Sequence, residues 1–342
     1  MHFYWGILGT LIIAAITIDI IWTTLTVKGW GPISGKFFSQ FINPKLKKSR
    51  KSIPAWRIAI SGPGVVLLTF TFWMITTWAG WVMIFSSAEF AVLQADSGLP
   101  ANLFSRIYFS GYTLTTLGIG DYLPGSDFWQ LLTVFAAVSG FFILSLAISY
   151  LIPVLGQVVQ SKRLAFFIYS LGHTPESILI NHWNGRDFSH LVQHLFSLAP
   201  MLTLLGQQYL AYPVLFFFHS TDYREAISLR ISALDDAISL LAYGVQKQVR
   251  PEDELLKTIR ISISHFMEVF SVPKLKMAEE VPPVPDLKSL KEAGIPTLSD
   301  NDFKNTMNKL ADHRRMLYAF VQHESWEWDF EKHTSKSDLP LI

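Results

Sequence analysis

The sequence contains no cysteine and few charged residues. Without a thiol, disulfides, thiolate catalysis and cysteine metal sites are excluded. Only 16% of the 342 residues are charged and 50% are hydrophobic, which is too apolar for an ordinary soluble chain. The net charge of +1 gives no overall bias toward nucleic acid or acidic partners. No nucleophile–base pattern and no phosphate loop occur, so we expect neither an enzyme nor a bound cofactor.

Three long apolar segments are present instead, at residues 3–27, 58–88 and 128–161. A transmembrane helix needs about 20 mostly apolar residues, and each segment satisfies this requirement. The second and third carry no charge, and the first carries one, Asp19. The first segment is too long for a signal peptide and has no Lys or Arg before it, so we interpret it as a retained helix.

The charges between these segments predict the orientation. Eight Lys and Arg residues and no acid lie at residues 28–57, and Lys162 and Arg163 follow the third segment. Residues 86–127 hold four acids and a single base, Arg106. The positive-inside rule therefore predicts a multi-pass protein of the cell membrane with its N-terminus outside and its C-terminal half in the cytoplasm.

The outward-facing region contains the most informative motif, which reads Thr-Leu-Thr-Thr-Leu-Gly-Ile-Gly-Asp at residues 113–121. Asn102 is a plausible N-cap for a helix through about residue 115, which is too short to span and would re-enter. Glycine tolerates the positive φ needed to turn successive carbonyls toward one axis, and Gly118 and Gly120 alternate with side-chain residues. Such an extended segment can replace the water around a cation with backbone oxygens.

This motif resembles the potassium-channel signature filter, which is most often Thr-Val-Gly-Tyr-Gly-Asp. The resemblance covers about residues 57–160 and departs from the common form at Ile119, where tyrosine is usual. It implies that the permeant K⁺ is bound by the segment placed at the pore axis, with Asp121 at its outer mouth. The residues of that segment are Thr116, Leu117, Gly118, Ile119 and Gly120.

The resemblance also implies roles outside the filter. Gly140 lies 20 residues after Gly120, where the family has a gating hinge, and Pro153 marks a second weak point in the same helix. Close helix packing is the alternative explanation for Gly140. Tyr112 lies where some relatives place a glutamate, so its hydroxyl would contact Asp121; plain core packing is the alternative. Tyr108 and Phe109 would form an aromatic cuff around the filter.

Two polar residues of the membrane part have ordinary explanations. For Asp19 we favour a partner in the basic loop over a functional role. For Arg106 we expect a salt bridge with Glu89 or Asp96 at the outer surface. The chain lacks a Gly-x-Gly-x-x-Gly sequence and regularly spaced arginines in a span. A nucleotide-binding gating domain and a voltage sensor are therefore not indicated.

Residues 161–342 read as a soluble, mainly helical domain. We predict a helix from residues 220–221 to 249, with an apolar heptad seam along one face, and a second helix that ends at about residue 270. A proline-rich linker at residues 271–298 then leads to a third helix, from Ser299 to about residue 326. The seam could be a subunit core or a tetramer contact. The apolar run at 200–218 is favoured as a core or membrane-surface helix over a fourth span. His190 and His194, spaced i, i+4, lack the companion ligands of a metal site.

The sequence thus predicts an all-α membrane protein with three transmembrane helices, a re-entrant pore helix and a filter loop. Residues 1–56 form an N-terminal helix and basic loop, 57–160 a pore module, and 161–342 a cytosolic helical domain. We expect a homotetrameric, potassium-selective cation channel in the lipid bilayer, whose cytosolic domain binds an unknown ligand or protein and no nucleic acid. A weakly selective sodium and potassium channel and a non-conducting sensor or scaffold remain open.

Overall fold

The computed structural model describes residues 3–26, 31–35, 55–269 and 277–330, with side chains from residue 60 onward in the second helix. Its regular structure is almost all helix, with very little sheet, which confirms the predicted all-α membrane class. Two compact units are present. One holds the described residues up to 35 together with 63–155, and the other holds 55–62 and the described residues from 156 onward.

The first unit contains the long apolar helices. The first two are α1 (Phe3–Leu25) and α2 (Ala55–Phe85). The short helix α3 (Leu103–Leu114) follows, and α4 (Asp127–Leu171) begins in this unit. Within the described residues, three helices are long and apolar enough to cross a membrane: Phe3–Leu25, Ile60–Phe85 and Asp127–Leu171. At 12 residues α3 is about 18 Å long, well short of the roughly 30 Å hydrocarbon layer.

A two-stranded sheet, which the sequence analysis did not predict, joins the loops on either side of α3. Strand β1 (Val92–Gln94) pairs antiparallel with β2 (Tyr122–Pro124). The register sets Val92 opposite Pro124 and Gln94 opposite Tyr122. Three-residue strands carry no readable alternation of polar and apolar side chains, so this pairing leaves no clear trace in the sequence.

The second unit is a helical domain. Its helices, in chain order, are α5 (Pro175–Ile180), α6 (Ser189–Ala211), α7 (Ile227–Tyr243), α8 (Asp253–Val269), α9 (Lys288–Glu292), α10 (Asp300–Lys309) and α11 (Ala311–His323). Single 3₁₀ turns lie at Glu89–Ala91 in the first unit and at Pro213–Phe217 and Tyr223–Glu225 in this one. Helix α6 packs against α8, and α7 contacts α5, α8 and α11.

Helix α7 is the centre of this domain, because every residue from Ile227 to Leu241 is buried. The predicted heptad seam lies on this helix, and it is buried inside one chain, as expected for a subunit core. The helix begins later than predicted because the Asp222 side chain accepts a hydrogen bond from the amide of Arg224 and caps a 3₁₀ turn instead. It ends at Tyr243, before Gly244, rather than near residue 249.

The other predictions for this domain hold with differences in length. Ser299 caps α10 by accepting from the Asp302 amide, but the predicted single helix is interrupted at Leu310. The predicted linker contains the short helix α9, and its residues 271–276 lie outside the described part. The apolar run at 200–218 is divided between α6 and a 3₁₀ turn, and its buried leucines belong to the core.

Candidate functional site

The site is built on α3, whose first turn is fixed by a side-chain cap. The Asn102 side chain accepts a hydrogen bond of 2.9 Å from the Ser105 amide. This bond satisfies one of the amides that a helix start leaves without a partner. The helix therefore begins at Leu103 and ends at Leu114, in agreement with the predicted bounds.

Two backbone hydrogen bonds then turn the chain out of the helix. The amide of Thr116 donates to the carbonyl of Thr113 at 3.0 Å, and the amide of Leu117 donates to that of Tyr112 at 2.8 Å. The carbonyls at the C-terminal end of α3 carry the negative end of its dipole, which favours a cation beyond that end. The segment predicted to bind ions begins at this point.

The backbone of this segment alternates in handedness. Thr116, Gly118 and Gly120 have φ values of 60°, 60° and 89°, whereas Leu117 and Ile119 are not in the positive region. Alternation of this kind turns consecutive peptide carbonyls toward the same side of the chain. Positive φ at a β-branched residue such as Thr116 is a strained conformation that costs about 1–3 kcal/mol. Such strain is typical of functional sites, where the surroundings hold it in place.

The segment is open to its surroundings in the single chain. The Leu117 and Ile119 side chains are 69% and 54% exposed. A Cβ added at Gly118 or Gly120 would meet nothing within 4 Å, so the positive φ is what requires glycine at these two positions.

Two hydroxyl contacts support the chain directly after this segment, and they differ from the prediction. The predicted contact of the Tyr112 hydroxyl with Asp121 is wrong, because this hydroxyl donates to the carbonyl of Tyr122 at 2.7 Å. Tyr108, one turn earlier, lies near the Asp121 carboxylate. The Tyr122 hydroxyl in turn accepts from Ser105 at 2.8 Å. The helix period allows either tyrosine to face the motif, and tertiary placement decides which oxygen each one reaches.

The small sheet holds the other side of the same residues. The amide of Ala95 donates to the carbonyl of Asp121 at 3.0 Å, which extends the β1–β2 pairing to the end of the motif. The chain beyond Gly120 is therefore bonded both to α3 and to the loop that follows α2.

The two aromatics of the predicted cuff have different environments. Phe109 is buried edge-on against Phe85 of α2, with ring centroids 5.0 Å apart. Tyr108 is partly exposed and packs on Tyr112 at 5.1 Å. The sequence analysis missed a further contact, in which the Trp78 indole donates to the carbonyl of Ile107 at 3.0 Å.

Arg106 binds carbonyls rather than the predicted carboxylates. Its buried guanidinium donates to the backbone oxygens of Phe85, Ala88, Glu89 and Ala101. The first three lie at and just after the end of α2, where a helix leaves carbonyls without partners. The expected salt bridge with the side chain of Glu89 or Asp96 is thus replaced by a cap that fastens α3 to the end of α2.

Gly140 and Pro153, the two positions at which α4 was predicted to bend, both lie inside a continuous helix. At Gly140 an added Cβ would overlap the carbonyl of Leu114, the last residue of α3. Close packing therefore gives a sufficient reason for glycine there, and the hinge role stays a prediction. Pro153 also lies within the helix, which continues to Leu171.

Asp19 is fully buried in α1 and is bound by neutral donors. One oxygen accepts from the amide of Ile33 at 2.8 Å, and both accept from the amide of Ser34. The Trp73 indole of α2 donates to it at 2.9 Å. A partner in the basic loop was expected. The amides of Ile33 and Ser34 belong to that loop, although they are backbone donors rather than basic side chains, and most of the loop lies outside the described residues. Asp19 thus joins α1 to α2.

His190 and His194, which are spaced i, i+4, do not form a metal site with other ligands in the described part of the chain. The His194 ring contacts those of Phe167 and His182, and His190 is exposed. Among the described residues, no group of three or more His, Cys, Asp or Glu could hold a metal ion.

Comparison with known proteins agrees with this arrangement. Residues 65–157 match the sequence model of a family described as an ion channel. The chain is also 33% identical over 330 residues to an uncharacterized membrane protein, YdjJ, of Bacillus subtilis (strain 168), and the match covers 95% of each chain. No solved structure matches. The protein therefore belongs to the membrane proteins that contain a pore module of the ion-channel family.

Proposed function

We propose that this protein is a homotetrameric potassium channel. The carbonyls of Thr116, Leu117, Gly118 and Ile119, with the Thr116 hydroxyl, are the proposed ligands of the ion. The observation that carries the proposal is the alternating backbone of residues 116–120, directly after a re-entrant helix. Rings of such carbonyls replace the hydration shell of K⁺ in a filter.

The tetramer follows from the number of filter segments. One chain supplies one strand of carbonyls, and a ring around an axis needs several copies. Closed rotational symmetry is the norm for homo-oligomers. The filter of a potassium channel is built from four such loops, so we propose that four copies complete it. Mass measurement of the protein in nanodiscs tests this; a stable monomer or dimer would rule out the proposed pore.

We also propose that the C-terminal domain is cytoplasmic and acts on the pore. Lys and Arg are in excess in the loop between the first two spans and directly after the third span, which supports placing these regions on the cytoplasmic side. Helix α4 is 45 residues long, or about 68 Å, and so continues well beyond one bilayer crossing. A ligand or protein that binds the domain would reach the pore through this helix, with Gly140 or Pro153 absorbing the bend.

Potassium flux into liposomes is the decisive measurement. Wild-type protein is expected to take up K⁺ down a gradient, and Gly118→Ala is expected to abolish uptake because alanine does not adopt its φ without strain. Gly98→Ala is the matched control, since Gly98 has a φ of 65° in the outer loop with the same open surroundings. Flux lost equally in both variants, or absent from the wild type, would contradict the proposal and favour a non-conducting sensor or scaffold.

A weakly selective sodium and potassium channel is the second candidate. It is favoured by Ile119, which is half exposed and brings no hydroxyl to hold the filter wall. Reversal potentials with K⁺ on one side and Na⁺ on the other separate the two candidates.

A further inference from the structure

Helix α7 carries a buried arginine, Arg230, whose charge is not balanced by a carboxylate. The side chain is only 1% exposed. Its one hydrogen bond within the described residues runs from Nη1 to the carbonyl of His173, at 3.0 Å. The Nε atom is buried and has no acceptor. Fully buried charges are normally paired, because removal from water is costly.

A second buried arginine of the same domain, Arg314, has the carboxylate partner that Arg230 lacks. Arg314 is also buried, and its Nε and Nη2 atoms bind the two oxygens of Asp236, at 3.1 and 3.0 Å. This paired edge of a guanidinium fits a carboxylate or phosphate group. In Arg230 the Nη1 atom is engaged, whereas the corresponding Nε and Nη2 edge makes no hydrogen bond with the described residues.

Four acids lie within eight residues of Arg230 in the sequence, and all four bind other groups. Asp235 pairs with Arg260 and His313, and Asp236 pairs with Arg314. Asp222 pairs with Arg224 at 2.7 Å, and Glu225 with Lys162 at 2.9 Å. Glu324 accepts from the Ser228 hydroxyl at 2.6 Å, at the N-terminus of α7. None of them compensates Arg230.

Aromatic rings surround the guanidinium instead. Its carbon lies 5.5 Å from the ring centre of Tyr169 and 5.9 Å from that of Tyr223. The His173 ring stacks on Tyr169 at 4.4 Å. Burial lowers the pKa of Arg230 to about 10, and the two tyrosines offset this effect only in part. Cation–π contacts thus stabilise the charge without neutralising it.

We propose that Arg230 is the centre of an anion-binding site for a small oxyanion, in the form of a carboxylate or phosphate group. The group would bind the Nε and Nη2 edge, beside Tyr169 and Tyr223. Tyr169 belongs to the last turn of α4 and His173 follows that helix, so an occupied site would hold the end of the longest helix against α7. This inference concerns binding alone and does not depend on ion conduction.

Equilibrium binding of radiolabelled orthophosphate to the full-length protein, in neutral detergent at constant ionic strength, tests the site. We expect saturable binding of one phosphate per chain, with acetate competing if a carboxylate also fits. Arg230→Gln should weaken binding at least tenfold. Arg186→Gln is the matched control, because it removes an exposed arginine from the same domain and should leave binding unchanged.

Arg230→Lys covers the case in which the glutamine variant does not fold. Lysine keeps the charge but lacks the paired edge, so we expect binding to weaken here as well. The proposal is overturned if wild-type protein binds neither phosphate nor acetate in the millimolar range. It is equally overturned if folded Arg230 variants bind phosphate as tightly as the wild type, since the anion would then lie elsewhere and Arg230 would have a structural role only.

Discussion

Ile119 is the residue at which the proposed filter departs from the common potassium-channel form, and its side chain is half exposed in the single chain. We expect Ile119→Tyr to discriminate more sharply between potassium and sodium, because the new hydroxyl can bond the surrounding aromatic wall. One such bond contributes roughly 0.5–1.5 kcal/mol, and four subunits would gain it together. Reversal potentials of both channels under one bi-ionic gradient provide the measurement. An unchanged permeability ratio in a conducting variant would show that residue 119 does not set selectivity.

Two explanations apply to the glycine at position 140, close packing against α3 and a gating hinge, and a substitution there can distinguish them. We expect Gly140→Ala to destabilise the folded protein by about 1–3 kcal/mol, since its Cβ would overlap the Leu114 carbonyl. Gly156→Ala in the same helix is the control, because an added Cβ there meets nothing within 4 Å. That change should be neutral or stabilising by up to about 1 kcal/mol, as alanine is the better helix former.

Thermal unfolding in detergent measures both glycine variants. Equal stability of the two would mean that the contact at Leu114 relaxes without cost. A changed open probability in a stable Gly140→Ala channel would then support the hinge.

At the scale of elements, the short helix α3 is held at both ends by polar contacts. Asn102 caps its start and Arg106 binds the end of α2, while Tyr112 bonds the chain beyond the motif. A short helix at membrane depth has to satisfy its backbone within the protein, because no water is there to do so. These contacts therefore fix the position of the strained segment that follows.

Arg106 is the most testable of these contacts. We expect Arg106→Gln to lower the free energy of unfolding by at least about 1.5–3 kcal/mol, the scale of one hydrogen bond to a charged group. Several carbonyls lose their donor at once, and glutamine cannot reach all of them. Arg163→Gln removes an exposed arginine from α4 and serves as the control. Denaturation of both variants in detergent is the measurement, and equal stability would mean that water replaces the guanidinium at these carbonyls.

At the scale of the whole molecule, α4 is the element shared by the two compact units. It begins at Asp127, directly after the motif and β2, and runs without interruption to Leu171. The two units are therefore joined by helix rather than by a non-helical linker at this point of the chain. This continuity motivates the proposed control of the pore by the C-terminal domain.

Removal of residues 172–342 tests that control. We expect truncated channels to change their open probability and to keep the selectivity of the full-length channel, because the proposed filter, residues 116–120, belongs entirely to the first unit. Single-channel recording with asymmetric potassium and sodium gives both quantities. Truncated channels that gate like the full-length protein would show that the domain is an anchor or passenger.

The sequence by itself determined the elements that depend on composition and local chemistry. Charge-free runs such as 128–161 have to be helical in a bilayer, because every backbone group then bonds within its own segment. The start of α3 at Asn102 and of α10 at Ser299 follows from side chains that bond amides three residues away. The positive φ of Gly118 and Gly120 was likewise predictable, because glycine adopts it at little cost.

Only the tertiary structure decided which groups meet across long separations. The carbonyl partners of Arg106, the amides around Asp19 and the bond from Tyr112 to the carbonyl of Tyr122 all depend on where separate elements pack. Backbone donors and acceptors are the same at every residue, so the sequence carries no mark of which one a side chain will reach. For the same reason the unbalanced charge of Arg230 became visible only once its neighbours were in place.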